Sequence, residues 1–144
     1  MKTDQKVAAL KHAPELAQMR RRSEEYRARL AAAEGGAIST REAARWLHLS
    51  QSAVRRRWNG FRLIGWRAGA AIQFPRWQFA SEEVLPGIEM VLQVFRSHDD
   101  WRIMNYFLGV RRSLDGRRPL DLLRSQQMSM VLDHARTHAR NNTW

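Results

Sequence analysis

The apolar positions of residues 1–36 form one narrow helical stripe in a charged segment. From Pro14, a residue suited to the first turn of a helix, apolar side chains recur at three- and four-residue spacings. They are Leu16, Met19, Tyr26 and Leu30. Gly35 and Gly36 then end the pattern. It predicts a charged helical lead-in over residues 1–36 and leaves open whether the stripe packs on its own domain or pairs two subunits.

Residues 37–59 carry the start and stop signals of two short helices. Ser39 and Glu42 have the spacing of a capping box, which predicts a helix that begins there. Ser50 is a suitable N-cap for a second helix that runs to about Trp58, where Asn59-Gly60 stops it. Two short helices across a three-residue turn have helix-turn-helix geometry.

A hairpin is predicted directly after the second helix. The runs 61–66 and 71–74 are rich in β-prone residues and are separated by a turn around Gly69. Together they are typical of a wing. We expect Trp77 and Phe79 to pack this wing back onto the two helices.

The pattern becomes helical again over residues 80–144. It predicts helices over 86–96, after Asp99 or Asp100, over 120–124 and over about 126–140. Gly116 and Pro119 mark a turn that opens the third of these helices. The last helix is expected to turn four side chains inward, namely Met130, Val131, His134 and Ala135. The fold class is therefore mainly α with a small β-hairpin, in three parts: 1–36, 37–79 and 80–144.

Charge changes this picture, because the positive excess of the chain lies in the helix-turn-helix segment. The net charge is +11, and residues 37–79 contain eight arginines against one acidic residue, Glu42. A local basic excess on helix-turn-helix spacing indicates a polyanion as partner, and duplex DNA fits best.

The second helix of such a unit enters the major groove, where its N-terminal half meets the base edges. Those positions are Gln51, Ser52, Arg55 and Arg56. Gln pairs with adenine and Arg with guanine through two hydrogen bonds each. Val54 and Trp58 are expected to anchor the opposite face of the helix. The candidates for phosphate contacts are Arg41, Arg62 and Arg67. The alternative is that these arginines form an ordinary solvated face.

Other functions find little support in the sequence. The chain has no cysteine, which excludes disulfides and thiolate zinc sites. It contains no phosphate loop, nucleotide-binding glycine fingerprint or nucleophile elbow, so we expect neither an enzyme nor a bound cofactor. His134 and His138 lie four residues apart but lack a third metal ligand. The absence of a signal peptide or an 18-residue apolar run favours a soluble, cytoplasmic protein without a membrane partner.

Two segments of the sequence resemble known families and make the hypothesis of DNA binding more specific. The run STREAARWLHLSQSAVRRR at residues 39–57 resembles the excisionase and MerR-like winged helix-turn-helix modules, which bind DNA or, in some cases, protein. In the C-terminal half, residues 101–108, LDGRRPLDLL at 114–123 and residues 131–138 resemble the toxin-binding domain of Xre/MbcA/ParS-type antitoxins. That family usually has an Xre-like bundle at its N-terminus, so this chain departs from the pattern there.

The antitoxin resemblance implies a type II toxin-antitoxin system. It implies that the 80–144 domain binds and neutralises a RES- or ParT-like toxin that consumes NAD, and that the DNA-binding module represses its own operon. We expect a homodimer on separate grounds, because one small reading helix gives limited specificity and two half-sites multiply it. Four residues are then candidates for toxin contact: Arg117, Arg118, Arg140 and Trp144. The alternatives are a stand-alone transcriptional regulator whose C-terminal domain only dimerises, and an adaptor that uses the helix-turn-helix module for protein contact.

Overall fold

The computed structural model describes the backbone of residues 2–141 and the side chains from residue 13 to residue 141. The chain is mainly helical and carries a small antiparallel sheet. In order, the elements are α1 (Lys2–Ala32), β1 (Ala37–Ser39), α2 (Thr40–Leu47), α3 (Gln51–Asn59), β2 (Trp66–Ala68), β3 (Ala71–Pro75), β4 (Phe79–Ala80), β5 (Glu83–Val84), α4 (Ile88–Val94), α5 (Asp100–Leu108), α6 (Pro119–Arg124) and α7 (Met128–Asn141). Within residues 2–141, no helix is both long enough and apolar enough to cross a membrane.

The contacts that the described side chains of helix α1 make with the rest of the domain lie toward its C-terminal end. Leu30 is buried in the core, and the Tyr26 hydroxyl donates to the side chain of Asn105 in α5. Leu16 and Met19 remain 51% and 61% exposed. The end of the stripe therefore packs on its own domain, while its beginning, Leu16 and Met19, is uncovered.

The expected place of Pro14 was wrong, because it lies inside α1 and not in the first turn. A proline inside a helix removes one backbone hydrogen bond and crowds the preceding turn. The preceding sequence, KVAALKHA, is rich in good helix formers, which favour helix on that side of the proline.

The two predicted helix starts are confirmed by their caps. The Ser39 hydroxyl accepts a hydrogen bond from the Glu42 amide at 3.1 Å, and the Ser50 hydroxyl accepts one from the Ala53 amide at 3.1 Å. Between the helices, His48 adopts a left-handed conformation with φ 54° and turns the chain. Helices α2 and α3 thus follow each other across a tight turn, as their sequence signals predict.

The sheet has the order β1-β3-β2, with both neighbouring pairs antiparallel. Strands β2 and β3 form a hairpin whose tip is Gly69-Ala70. The second predicted strand is confirmed, but the first was wrong, because β2 begins at Trp66 and not at Phe61. Strand β1 was missed since it is only three residues long and its last residue, Ser39, is also the N-cap of α2.

A single side chain explains why residues 61–65 do not form a strand. Gln78 is completely buried, and its amide pairs with both backbone groups of Ile64. The Ile64 amide donates to Gln78 Oε1 at 2.8 Å, and Gln78 Nε2 donates to the Ile64 carbonyl at 2.7 Å. Ile64 is thereby buried with its hydrogen bonds satisfied and needs no neighbouring strand.

The helices predicted in the C-terminal half are present, with small differences at their ends. Asp99 caps α5 by accepting from the Arg102 amide at 3.0 Å, and Pro119 opens α6 as predicted. The inward position of Met130 was wrong, since this side chain is 42% exposed. The buried face of α7 consists of Val131, Leu132, Ala135 and His138, a helical spacing that leaves residue 130 outside.

Two hydrophobic clusters form the core. The smaller joins the sheet to α2 and α3 through Ile38, Ala43, Ala44, Val54, Leu63, Ile72 and Phe74. The larger joins the four helices α4, α5, α6 and α7, and it also includes Trp66 and Trp77. The ring centroids of Trp77 and Phe107 of α5 are 5.5 Å apart, whereas the ring centroids of Phe79 and Trp46 of α2 are 5.4 Å apart. The middle of the chain is therefore packed on both sides.

We predict that Gln78→Met destabilises the protein. The substitution keeps the side chain's length but leaves the Ile64 amide and carbonyl without partners, at about 1–3 kcal/mol for each buried group. Urea unfolding followed by circular dichroism would measure the loss. The matched control is Gln93→Met, whose amide donates to the Gly60 and Phe61 carbonyls from an exposed position that water can fill. Equal losses in the two variants would contradict this account.

Candidate nucleic-acid interface

A groove of about 330 Å³ lies between the start of α2, one face of α3 and the β2–β3 hairpin. It brings together four of the seven residues that the sequence predicts for DNA contact: Arg41, Gln51, Arg55 and Arg67. Its other lining residues are Ser39, Thr40, Trp58, Asn59, Ala70, Ala71 and Ile72. No carboxylate is among these lining residues, so the groove presents positive charge and hydrogen-bond donors.

Helix α3 lines the groove with its exposed face, and its opposite face is buried. Gln51 and Arg55 are one turn apart and exposed, whereas Val54 is completely buried in the smaller hydrophobic cluster. Val54 therefore anchors the helix as predicted, whereas Trp58, which was expected on the same opposite face, lines the groove. Gly65 allows its backbone to lie close to the Trp58 ring and to strand β3. A Cβ on this residue would lie 3.0 Å from the Trp58 ring and 3.0 Å from the Gln73 carbonyl oxygen.

Trp58 supports the groove and also contacts the C-terminal half. The Arg67 guanidinium lies over its ring, 5.3 Å from the centroid. Such a cation–π contact contributes about 0.5–1 kcal/mol at an exposed site. Trp58 also lines a pocket with Asp100 at the start of α5, and its influence opposes the rise in the pKa of that carboxyl group. The ring that supports Arg67 therefore lies next to the start of α5.

The carboxyl group of Asp100 is perturbed by this position. Burial raises the pKa of Asp100 to about 6, an effect that the Trp58 N–H opposes and the nearby charge of Asp99 reinforces. A partly desolvated acid therefore lies at the junction between α3 and α5.

The remaining three predicted residues are not part of the groove lining. Ser52 and Arg56 are exposed on the neighbouring face of α3. Arg62 forms an ion pair with Glu89 of α4 at 2.6 Å, so its guanidinium already has an acidic partner. Sequence reasoning had no signal for this pair because the two residues are far apart in the chain.

Sequence reasoning missed two polar residues of the groove. Asn59 was interpreted only as a helix stop, although it is four residues after Arg55 and therefore on the same face. Thr40 lines the groove at the start of α2, where its hydroxyl donates to the Ile72 carbonyl at 3.4 Å. Helical spacing was a usable signal for Asn59, whereas Thr40 depends on the sheet.

The predicted toxin-contact residues have different surroundings. Arg117 is exposed, and its Nε donates to the Leu114 carbonyl at 3.1 Å. Arg118 was expected to project, and this was wrong: its side chain is only 24% exposed and pairs with Asp121 at 2.8 Å and Glu34 at 2.9 Å. These contacts lower the pKa values of both carboxyl groups. The ion pairs join the end of α1 to α6, which explains why the guanidinium is held inward.

Two candidates lie at the C-terminal end. Arg140 is exposed in the last turn of α7 and donates to the Thr137 hydroxyl at 3.3 Å. Trp144 lies outside the described residues. In the part of the chain whose side chains are described, no group of three His, Asp or Glu residues is arranged to hold a metal ion.

Comparison with known proteins informs the fold alone. No protein-family model matches this sequence, and no curated protein matches it. The structure is similar to that of Rv2175c, which was solved by NMR, with a TM-score of 0.63 and 21% sequence identity over 74% of this chain and 83% of that chain. At this level of identity, the similarity indicates a shared architecture.

We predict that Asp100→Asn becomes more stable relative to the wild type as pH rises from about 4 to about 7. The folded pKa of about 6 exceeds the ordinary value of 3.8, so the carboxyl contributes stability below pH 3.8 that is lost as pH rises through 6. Asparagine does not titrate and retains an acceptor for Trp58.

Urea unfolding at pH 4, 5, 6, 7 and 8 would measure the difference between the two proteins. Asp133→Asn, an exposed position on α7, is the matched control. A constant difference between wild type and Asp100→Asn across this pH range would contradict the expected effect of burial.

Proposed function

We propose that this protein is a DNA-binding antitoxin. Its residues 37–79 act as a winged helix-turn-helix module on the operon's own promoter, and its residues 80–144 bind and block a RES- or ParT-like NAD-consuming toxin. The observation that carries the DNA-binding part is the groove in which Gln51, Arg55 and Arg67 converge with Arg41 and no carboxylate. The toxin-binding part rests on the resemblance of LDGRRPLDLL to the antitoxin domain.

The groove supports a specific docking geometry. With α3 in the major groove, Gln51 and Arg55 are placed one turn apart on the face that would meet base edges. Arg41 at the start of α2 and Arg67 on the hairpin would then flank α3 and contact phosphates. Because the Trp58 ring already restricts Arg67, less conformational entropy is lost when that residue binds.

The hairpin tip limits what the wing can do. Its residues, Gly69 and Ala70, carry almost no side chain and are exposed. Such a tip can approach the sugar–phosphate backbone closely but has no group with which to identify a base. Specificity would therefore come from α3, with Arg56 and Ser52 available beside the groove.

The C-terminal motif contributes to toxin binding mainly through its scaffold. Leu120, Leu122 and Leu123 are buried, which fixes the position of the turn before α6. Arg117, Arg140 and Trp144 are the proposed toxin contacts. Arg118 acts indirectly in this scheme, since its guanidinium holds the α1 end against α6. Inhibition would be steric.

One observation favours the alternative of a stand-alone regulator whose C-terminal domain only dimerises. Arg118, the central arginine of the motif, is paired within the chain and leaves fewer basic groups for a toxin. Both functions share DNA binding by a homodimer, in which two reading helices multiply specificity. The uncovered side chains Leu16 and Met19 provide one surface for pairing.

We predict that Arg55→Ala weakens binding to DNA from the protein's own promoter by about 1–3 kcal/mol if Arg55 contacts a guanine. Fluorescence anisotropy with a labelled promoter duplex and a scrambled duplex would measure affinity and specificity. Raising the salt concentration should weaken binding by the wild type, because phosphate contacts release counterions.

Arg96→Ala is the matched control for charge, since it removes an exposed arginine that lies two residues beyond the end of α4. Unchanged binding by both Arg55→Ala and Arg56→Ala would mean that another element reads the DNA.

We predict that the protein forms a stable complex with the product of an adjacent toxin gene and restores growth to cells that express it. Copurification and a growth-rescue assay would measure the two effects. Combined Arg117→Ala and Arg140→Ala substitutions should weaken rescue while promoter binding persists. DNA binding without any complex would leave the stand-alone regulator as the function.

A further inference from the structure

A second pocket, of about 550 Å³, lies away from the groove, between the loop that follows α5 and one face of α7. The loop contributes Val110, Arg111, Arg112 and Ser113, and α7 contributes His134 and His138. None of these side chains is acidic. The pocket therefore collects cations and hydrogen-bond donors in a half of the chain that is otherwise nearly balanced in charge.

Arg111 and Arg112 are adjacent in the chain, and both line this pocket without an acidic partner among the described residues. Five arginines of this half of the chain pair with a carboxylate: Arg102, Arg117, Arg118, Arg124 and Arg136. Among the described residues, no carboxylate forms an ion pair with Arg111 or Arg112. Two neighbouring positive charges are thus without a counter-ion among the residues that the structure describes.

The position of Arg111 makes this lack of a counter-ion costly. Its guanidinium is half-buried, lies 5.1 Å from the centroid of the Tyr106 ring, and donates through Nη2 to the Asn105 carbonyl at 3.3 Å. Burial lowers its pKa, which shows that the charged form is disfavoured there. A guanidinium has five N–H donors, and the protein uses few of them here. An external anion would relieve both deficits.

Neutral donors complete the lining of the pocket. His134 Nε2 lies 2.7 Å from Ser113 Oγ, and His134 Nδ1 lies 2.8 Å from the Tyr106 hydroxyl. Burial raises the pKa of Tyr106, so its phenol stays protonated. In the tautomer in which Tyr106 donates to Nδ1, the Nε2–H group donates to Ser113, and the Ser113 hydroxyl hydrogen is then available to a ligand.

The loop that carries these groups is fixed by backbone hydrogen bonds. The Arg111 amide donates to the Arg117 carbonyl at 3.1 Å, and the Gly116 amide donates to the Arg111 carbonyl at 2.8 Å. Donors that are already in place lose little entropy when a ligand binds. The backbone that carries Arg111, Arg112 and Ser113 is therefore fixed before a ligand binds.

We propose that this pocket binds the phosphate group of a small phosphomonoester. Arg111 and Arg112 supply charge and paired N–H donors, which match the oxygen atoms of a phosphate. Ser113 adds a neutral donor. Val110, 70% exposed at the edge, offers an apolar contact for the group that carries the phosphate. The proposal does not depend on the proposed DNA-binding or antitoxin function.

Isothermal titration calorimetry of the full chain at constant ionic strength would test this inference, with inorganic phosphate and adenosine 5′-monophosphate as probes. We expect saturable binding of both at one site, with the monoester tighter because of the Val110 contact. Arg112→Gln and Ser113→Ala should each weaken binding at least threefold, and Arg111→Gln at least tenfold. Arg136→Gln, on the exposed face of α7, is the matched control and should bind as the wild type does.

Arg112 and Ser113 are exposed, so their variants keep the test valid if Arg111→Gln fails to fold. Three outcomes would overturn the proposal: no saturable binding of either probe, binding that persists unchanged in the Arg112→Gln and Ser113→Ala variants, or equally tight binding of sulfate and phosphate with no preference for the monoester. Loss of promoter binding in these variants without any phosphate binding would instead assign the pocket to DNA.

Discussion

The contact on which the rest of the structure depends is the pairing of the Gln78 amide with the backbone of Ile64. It allows the chain to leave α3, bury Leu63 and Ile64, and enter the hairpin without another strand beside it. The backbone carbonyl of Gln78 also accepts a hydrogen bond from the Leu85 amide at 2.8 Å, so the same residue fixes the path of the chain toward α4. Both hydrophobic clusters meet at this point, with Leu63 in one and Ile64 in the other.

Local signals determine much of this fold, and the sequence displays them directly. Serine hydroxyls at Ser39 and Ser50, the Asp99 cap and the proline that opens α6 act within a few residues, so spacing alone predicts the helices. The start of β2 was not predictable in this way. Residues 61–66 have the composition of a strand, but a buried amide twelve or more residues later satisfies their backbone, and no periodicity reports such a contact.

The residues of the candidate site also fall into those that local spacing predicts and those that depend on tertiary contacts. Gln51 and Arg55 were predictable because they share a helix face, and Arg67 follows from the hairpin. The ion pairs of Arg62 with Glu89 and of Arg118 with Glu34 are tertiary, so charge counting overestimated how many guanidiniums are free. Arg111 was not predictable either. Its half-burial and its lack of a carboxylate partner among the described residues are properties of the folded structure and follow from no sequence pattern.

The two contacts of Trp58 have a consequence for communication between the halves of the molecule. One ring supports Arg67 at the groove through its face and lines a pocket with Asp100 at the start of α5. A partner that displaces α5 would therefore change the free energy with which the groove holds an anion. Linkage requires the converse as well: whatever occupies the groove would alter the affinity of the helical half for that partner by the same factor.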